Sequence, residues 1–329
     1  MGTLVNGFIE PIAKRWSTAM SGPLLLFWLA GTLVVYWPRG TGSRPCHDPA
    51  APAKPLCALA HQGAAGAALA SASATTAVVI SAWILTSSAT FVLEVLAGRW
   101  GTTRFALACT RYGITRHARR RIAFRAGHPT PSGVTGERLA AWQVQNGWRN
   151  ARRRAALARY PRLRDPDPLM PTTLGNALVS VPAEIRRQYG LDLRYCWDPF
   201  VRALEPSVRE ELTAAATRVL ARVQGVICAV ATAVWCVLLP GWWPRLVWLA
   251  GCAALTWGAH RALRAGVNTY CCHVRDLFTL HRARLYRALA FALPATTVDE
   301  VPCGETLSMF LSRSVPPASA PVTYSWPPA

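Results

Sequence analysis

Lysine and acidic residues are scarce in this 329-residue chain. Of its 36 basic residues only Lys14 and Lys54 are lysine, and the 16 Asp and Glu leave a formal net charge of +20. The arginine bias accompanies abundant Ala, Gly and Pro, a composition that a GC-rich genome explains without any function. The bias alone therefore assigns no role to the arginines.

Recognisable catalytic and nucleotide-binding motifs are also lacking. Gly175 and Gly190 belong to no phosphate-binding loop. Cys196 has no histidine nearby in the sequence, so a nucleophilic thiol would need a base brought close by the fold. An enzyme would have to gather several groups in one cleft: Cys196, His273, His281, Asp192 and Asp198. The sequence thus favours a protein that is not an enzyme.

Metal and disulfide frameworks are not indicated either. The ten cysteines show no repeating spacing, and three of them fall in apolar stretches where they behave as small hydrophobes. Cys271, Cys272 and His273 are adjacent, with His281 two turns further on, but adjacent side chains point around a helix rather than to one centre. We predict core or interface cysteines here, with no metal and no cofactor.

Charge is nearly absent from four long stretches, whereas a soluble basic protein would spread its charge between short apolar runs. The stretches are residues 19–37, 72–97, 223–239 and 246–262. A helix needs about 20 mostly apolar residues to cross a hydrocarbon core about 30 Å thick. The sequence therefore predicts a mainly α protein with four transmembrane helices in two hairpin pairs, the second hairpin spanning 223–262.

The N-terminus allows more than one interpretation. Residues 1–18 are predicted to be a cytoplasmic amphipathic segment, or a helical extension of the first transmembrane helix. A cleaved secretory signal is a further alternative, but Pro38 and Arg39 stand where a small-residue cleavage pattern would be needed. We expect a retained membrane anchor.

Glu94 is the one acid inside the four stretches. It lies near the cytoplasmic end of the second helix, where it either pairs with Arg99 or lines a polar path. Ion-coupled transporters place ionisable groups near the middle of the bilayer. The position of Glu94 therefore disfavours a transporter.

The distribution of arginine predicts the orientation. Residues 98–222 hold 23 arginines against nine acids, whereas residues 38–71 hold two arginines and one lysine. Arginine is retained on the cytoplasmic side of a membrane. The arginines nearest the membrane ends agree: Arg99, Arg104, Arg218, Arg222, Arg261 and Arg264. We predict a multi-pass protein of the plasma membrane with both termini in the cytoplasm.

Residues 38–71 then form an external loop that contains Cys46 and Cys57. Oxidation is permitted outside the cell, and the ten residues between these cysteines allow a ring to close. A disulfide between them is one expectation, and two free thiols are the alternative.

Residues 98–222 predict a basic, mainly helical cytoplasmic domain. Apolar spacing indicates helices over 102–126, 135–160 and 172–189, the last broken or kinked around Pro182 and closed by Gly190. Residues 191–197 alternate between apolar and polar, which suggests a short strand or extended segment. Asp198 and Pro199 are expected to open a helix that continues into the third membrane stretch without a stop.

Residues 263–329 predict a cytoplasmic helix followed by a Pro-rich tail. Helical spacing continues from the fourth membrane stretch as far as Pro294. We expect the helix and the membrane stretch to be one continuous element.

Two arginine clusters are candidates for binding anions. They comprise Arg116, Arg119, Arg120, Arg121, Arg152, Arg153 and Arg154. Beside a membrane the nearest phosphates belong to anionic lipids. Each basic residue near such a surface contributes about 1 kcal/mol of favourable binding free energy. Nucleic acid is the rival ligand because Trp142, Trp148 and Tyr160 interleave with arginine, but no recognised nucleic-acid-binding fold is indicated. We favour contact with the lipid surface.

Residues 169–178 read LMPTTLGNAL, residues 187–192 read RQYGLD, and Trp197 follows. This pattern resembles a family of uncharacterised multi-pass membrane proteins from actinobacteria, in which Met-Pro-Thr-x-Leu-Gly-Asn precedes Tyr-Gly-Leu-Asp and a tryptophan. Residues 274–289, 293–294 and 304–307 are similar to the tail of that family. The resemblance implies the same layout of paired membrane helices and carries no activity. Its motif residues, of unknown role, are Leu174, Gly175, Asn176, Tyr189, Gly190, Asp192 and Trp197.

Three functions fit these observations. The first is a non-enzymatic membrane protein whose basic domain contacts anionic lipid or an unknown protein partner, with self-association as a homo-oligomer. The second is an oligomeric channel or transporter, and the third is a membrane-bound enzyme of unidentified reaction. The surroundings of Asn176, Tyr189, Asp192 and Trp197 discriminate between them, because a buried packing motif and an exposed pocket imply opposite roles.

Overall fold

The computed structural model of the chain describes residues 21–35, 63–125 and 169–312, with single positions at 136, 138 and 141. These residues form eight α-helices, one 3-10 helix and no β-strand. The α-helices are α1 (Ser21–Val35), α2 (Gly63–Leu96), α3 (Arg104–Arg125), α4 (Thr173–Tyr189), α5 (Leu193–Ala203), α6 (Pro206–Ala231), α7 (Trp242–Ala288) and α8 (Glu300–Leu311), and the 3-10 helix is Thr232–Leu238. The prediction of a mainly α protein is confirmed.

The chain divides into two compact units. One contains Glu94–Leu212 and Val267–Ala329 as far as they are described, and is called the basic unit here. The other contains Phe8–Leu93 and Thr213–Gly266 as far as they are described, and is called the apolar unit. Helices α6 and α7 each contribute one part to each unit.

Two helical segments are long and apolar enough to cross a membrane, judged by length and composition. They are Gly63–Leu96 and Pro206–Leu238, the second combining α6 with the 3-10 helix. The first predicted membrane stretch corresponds to α1, which is apolar but shorter. The fourth falls within α7, where Thr256, His260 and Arg261 reduce the average hydropathy. The described residues of all four stretches are mainly helical, and two of the stretches meet the criterion of length and composition for a membrane-crossing helix.

The apolar unit is built around a small core. Leu24 of α1, Leu85 of α2 and Cys228 of α6 are buried together. Gly31 of α1 leaves room for the Trp235 ring, which would stand 2.6 Å from a Cβ added at this glycine. Small residues allow such close approach of apolar helices.

Contacts at the turn between the last two predicted membrane stretches agree with the predicted hairpin. The 3-10 helix ends at Leu238 and α7 begins at Trp242. Arg245 donates from Nε to the carbonyl oxygen of Leu239 at 2.9 Å, which satisfies a helix-end carbonyl. Trp248 donates to the carbonyl oxygen of Thr232 at 3.0 Å, so the two helices lie side by side.

Helix α4 begins and ends as its sequence predicts. The side chain of Thr172 accepts from the amide of Gly175 at the N-terminus. Gly190 closes the helix with φ of +70°, a left-handed conformation that glycine adopts without strain. Pro182 lies inside the helix, which continues through it.

The predicted strand or extended segment at 191–197 is wrong, because Leu193–Ala203 is helix α5. Asp192 accepts from the amide of Arg194 and serves as N-cap. Asp198 and Pro199 lie inside α5, so the next helix starts at Pro206 rather than at Pro199. An alternation of apolar and polar residues over so short a segment also fits a helix, because the buried face of a helix recurs every three to four residues. The buried face of α5 consists of Leu193, Cys196, Trp197 and Phe200.

The two long helices run without a break, as predicted. Helix α6 is continuous from Pro206 to Ala231, and α7 from Trp242 to Ala288. The predicted helix over 102–126 corresponds to α3. The segment after Pro294 departs from the expectation of a tail, because Glu300–Leu311 forms helix α8.

Candidate functional site

Asn176 of the motif segment, residues 169–197, is fully buried at 0% exposure. Its Oδ1 accepts from the amide of Met170 at 2.8 Å, and its Nδ2 donates to the carbonyl oxygen of Met170 at 3.0 Å. One side chain thereby satisfies both backbone groups of a residue that precedes the helix. Asn176 therefore has a structural role, because it fixes the backbone of Met170 ahead of α4.

Two motif glycines mark close contacts between backbones. A Cβ on Gly175 would stand 2.0 Å from the carbonyl oxygen of Ala97. A Cβ on Gly190 would stand 2.0 Å from the carbonyl oxygen of Val301, and one on Gly304 of α8 would stand 1.8 Å from that of Tyr189. These sites exclude any side chain, so α4 packs directly on the backbone of Ala97, which follows α2, and on α8.

Tyr189 and Asp192 join the motif segment to α7 and α8. The hydroxyl of Tyr189 hydrogen-bonds to the hydroxyl of Thr279 at 3.0 Å, and the guanidinium carbon of Arg282 lies 4.8 Å from the centre of the Tyr189 ring. The amide of Asp192 donates to Oγ of Ser308 at 2.8 Å. The motif therefore holds three helices together.

Trp197 and Leu174 complete this core. Trp197 is 4% exposed and stacks on Phe278, with ring centroids 6.2 Å apart. Phe278 also stacks on Phe200 at 3.9 Å, and Leu174 is buried at 3% exposure. Since the motif residues face the interior and their partners belong to the same unit, the motif is a packing motif and not an exposed pocket.

Helix α7 is tied to α4 by a polar network. Arg275 contacts a carboxylate oxygen of Glu184 at 2.8 Å and donates to Oγ of Ser180 at 2.8 Å. Cys271 donates to the carbonyl oxygen of Ala177 at 3.5 Å. Ion pairs also join Arg282 to Glu300 and Arg284 to Glu205. None of these pairings was predicted, because they link residues far apart in the sequence.

Cys196 is arranged as an inert core thiol. It is fully buried, and its sulfur lies 3.6 Å from the hydroxyl of Ser308. Burial raises the pKa of the Cys196 thiol to about 11, with the negative charge of Asp192 adding to that effect. A nucleophilic cysteine needs the thiolate at neutral pH. The environment of Cys196 stabilises the opposite, neutral form.

Cys271, Cys272 and His273 point in different directions, as predicted for adjacent helical residues. Cys271 is buried, Cys272 is exposed and His273 is half-buried. Burial raises the pKa of the Cys271 thiol to about 12. Within the described ranges, no group of three or more His, Cys, Asp or Glu side chains is placed to hold a metal ion.

The first arginine cluster lies on α3, in a mostly exposed helix. Arg116 and Arg119 are exposed, and large apolar side chains beside them are exposed too: Phe105 at 81% and Tyr112 at 69%. Arg120 and Arg121 belong to the same helix. The second cluster, Arg152 to Arg154, and the cysteines Cys46 and Cys57 lie outside the described residues.

Glu94 pairs with Arg99, as one interpretation of the sequence predicts. The Arg99 Nη1 lies 3.1 Å from Oε1 of Glu94. The indole of Trp100 donates to the carbonyl oxygen of Val95 at 2.7 Å, and the amide of Arg99 to that of Glu94 at 3.0 Å. The ion pair between Glu94 and Arg99 therefore belongs to the contacts that close the C-terminal end of α2.

Comparisons with protein-family models, with curated proteins and with solved structures returned no match. The resemblance drawn from the motif segment stays a prediction.

Proposed function

We propose that the chain is a multi-pass protein of the plasma membrane, with both termini in the cytoplasm, that carries out no catalysis and rests its basic unit on the anionic inner leaflet. Four membrane-crossing helices would come from α1, α2, α6 with the 3-10 helix, and the first part of α7. The arginine-rich residues 98–222 would form the cytoplasmic domain between the second and the third.

One observation carries the membrane part of the proposal: large apolar side chains point outward throughout the apolar unit. Leu26 is 66% exposed, Phe91 67%, Val237 68% and Trp257 63%. Soluble monomers rarely expose apolar surface on this scale, because water makes it costly. Lipid as the surrounding solvent removes that cost.

The burial of the two long apolar segments supports the same solvent. A core helix of a soluble protein would be mostly buried, but 17% of the most apolar stretch of Gly63–Leu96 is buried, and 39% of that in Pro206–Leu238. The basic unit differs, since it has a conventional interior with Ile185, Leu191 and Phe200 at 2% exposure or less. The surface of the apolar unit and the interior of the basic unit therefore support the proposal that lipid surrounds the first and water the second.

Helix α3 supports contact between the basic unit and lipid headgroups. It begins eight residues after α2 ends, and its exposed surface mixes Phe105 and Tyr112 with Arg111, Arg116 and Arg119. Aromatic and arginine side chains on one exposed helix are typical of segments that lie in the membrane interface. Each arginine near an anionic surface contributes about 1 kcal/mol.

Hydrogen exchange of the full chain in lipid nanodiscs tests this contact. We expect amides of 104–125 to be protected in discs that contain phosphatidylglycerol, and less so in discs of phosphatidylcholine alone. Protection should decrease when salt rises from about 0.1 M to about 1 M, because the screening length falls from about 10 to about 3 Å. A triple variant, Arg111→Gln with Arg116→Gln and Arg119→Gln, should lose the lipid dependence.

A charge-matched variant in the same unit is the control. Arg194→Gln, Arg202→Gln and Arg287→Gln remove three exposed charges outside α3. This variant should keep the protection. Equal protection in both lipids, or equal loss in both triple variants, would contradict docking by α3. A chain that stays monodisperse in buffer without detergent would contradict the membrane assignment itself.

An oligomeric channel is the second candidate, and Gln224 is the observation that favours it. Gln224 lies at the cytoplasmic end of the third membrane stretch, is 5% exposed and keeps a buried Oε1 with no hydrogen-bond partner among the described residues. A polar group at this depth would suit the cytoplasmic mouth of a pore formed by several copies of the chain. Ion flux through reconstituted vesicles that is abolished by Gln224→Leu would support this candidate, and absence of flux would remove it.

A further inference from the structure

An open groove of about 520 Å³ lies between the two helices of the second hairpin. Small side chains line it, among them Ala229 on α6, Ala233 on the 3-10 helix, and Cys252, Ala253 and Thr256 on α7. Every lining residue belongs to the apolar unit, so the groove faces the proposed lipid phase.

The length of the groove matches that of one acyl chain. On α7 it runs from Leu249 to His260, eleven steps of about 1.5 Å that make about 16 Å. The acyl chains of one leaflet fill half of a hydrocarbon core about 30 Å thick, which is about 15 Å. One acyl chain would therefore fit along the whole groove.

Two arginines follow the end of the groove marked by His260. Arg261 places its guanidinium carbon 4.8 Å from the ring centre of Trp257, which itself lines the groove. Arg264 is one turn further along α7.

These arginines have no acidic counterpart in their unit. The described residues of the apolar unit, within 21–93 and 213–266, include no Asp and no Glu. A cluster of guanidinium groups without carboxylates favours an anion that comes from outside the chain. Arginine forms paired hydrogen bonds to phosphate with particular ease.

We infer that the groove binds one anionic glycerophospholipid, with an acyl chain along the small residues and the phosphate on Arg261 and Arg264. The inference rests on the proposed membrane function and names a specific lipid site within it. A second copy of the chain is a poorer occupant, because a symmetric contact through this face would bring two such arginine clusters together. The lipid supplies the negative charge that the unit lacks.

Native mass spectrometry of the full chain in detergent tests the site. Phosphatidylglycerol should be retained in a saturable complex of one lipid per chain, and phosphatidylcholine should bind at least about ten-fold more weakly. Arg261→Gln with Arg264→Gln should weaken phosphatidylglycerol binding about thirty-fold, since both contacts contribute to one headgroup. Ala253→Phe, which fills the groove and keeps the arginines, should lower the number of retained lipids to zero.

Arg202→Gln with Arg287→Gln is the matched control, because it removes the same charge from exposed positions in the basic unit. It should bind phosphatidylglycerol like the unchanged chain. Equal affinity for both lipids would overturn the inference, and so would equal weakening in the control. An Ala253→Phe variant that keeps the lipid but loses dimers would also overturn it, because that result would show the groove to be a self-association face. These results concern one bound lipid in detergent, so they leave the tests of membrane insertion and of α3 docking separate.

Discussion

At the residue scale, the polar side chains of the motif segment satisfy backbone groups that no helix ladder reaches. Asn176 pairs with both backbone groups of Met170. Ser308 accepts from the amide of Asp192 and donates toward the carbonyl oxygens of Gly304 and Gly190. Buried backbone groups must be paired, which explains why polar residues stand in an otherwise apolar interior.

Asn176→Ala should destabilise the protein. The substitution leaves the Met170 amide and carbonyl without partners, and each orphaned group costs about 1–3 kcal/mol. The melting temperature of the detergent-solubilised chain, followed by tryptophan fluorescence, should fall. Asn268→Ala, at an exposed position of α7, is the matched control and should melt like the unchanged protein. Equal melting of both variants would show that the Met170 contacts contribute nothing.

Cys196 should resist alkylation in the folded protein. Burial raises the pKa of its thiol to about 11, so about one thiol in a thousand is ionised near pH 8, and the side chain is fully buried as well. Iodoacetamide near pH 8 should modify the exposed Cys272 first, as read by peptide mass spectrometry. In denaturant both should react at similar rates. Fast labelling of Cys196 in the native state would mean either that the core around Cys196 opens or that its thiol is reactive, as in a catalytic cysteine.

At the element scale, α8 is positioned by contact between backbones rather than by side-chain bulk. Gly304 approaches the end of α4 so closely that any added carbon collides with a backbone oxygen. The ion pair between Arg282 and Glu300 lies at the start of the same helix. Residues 300–311 therefore belong to the packed interior of the basic unit.

Gly304→Ala should loosen α8. A Cβ there would stand 1.8 Å from the carbonyl oxygen of Tyr189, and forced overpacking costs about 1–3 kcal/mol or more. Hydrogen exchange of 300–311 should quicken, and the melting temperature should drop. The comparison variant is Gly251→Ala, a helical glycine with nothing within 4 Å of the added carbon, which should change neither measurement for the worse.

Element types followed from local patterns, with one informative failure. The capping residues Thr172 and Gly190 defined α4 because capping depends on near neighbours. Residues 191–197 looked like a strand because seven residues are too few to separate a period of two from a period of 3.6. Two features stabilise the helix over a strand: Asp192 caps its N-terminus, and Trp197 and Phe200 pack against Phe278.

At the scale of the whole molecule, the two units meet different solvents in the proposed arrangement. One exposes leucine, phenylalanine and tryptophan on most of its helices, whereas the other has a larger buried interior and exposes fewer such side chains, among them Phe105 and Leu107 on α3. Helices α6 and α7 run through both units without a break.

Reporter fusions test the proposed topology. Alkaline phosphatase, which is active only after export, should be active when inserted after Gly241 and inactive when inserted near position 150. Green fluorescent protein should give the reverse pattern. An exported reporter near position 150 would invert the assignment of the arginine-rich segment and with it the proposed contact with the inner leaflet.

The sequence by itself determined the helical class, the four apolar stretches, the continuity of α6 and α7, and the segregation of arginine, because each depends on composition or on residues a few positions apart. It also singled out the motif segment without its role. Only the tertiary structure decided that role, since the partners of Tyr189, Asp192 and Trp197 lie about 80 or more residues away. The groove and its arginines likewise arise only when two helices lie side by side.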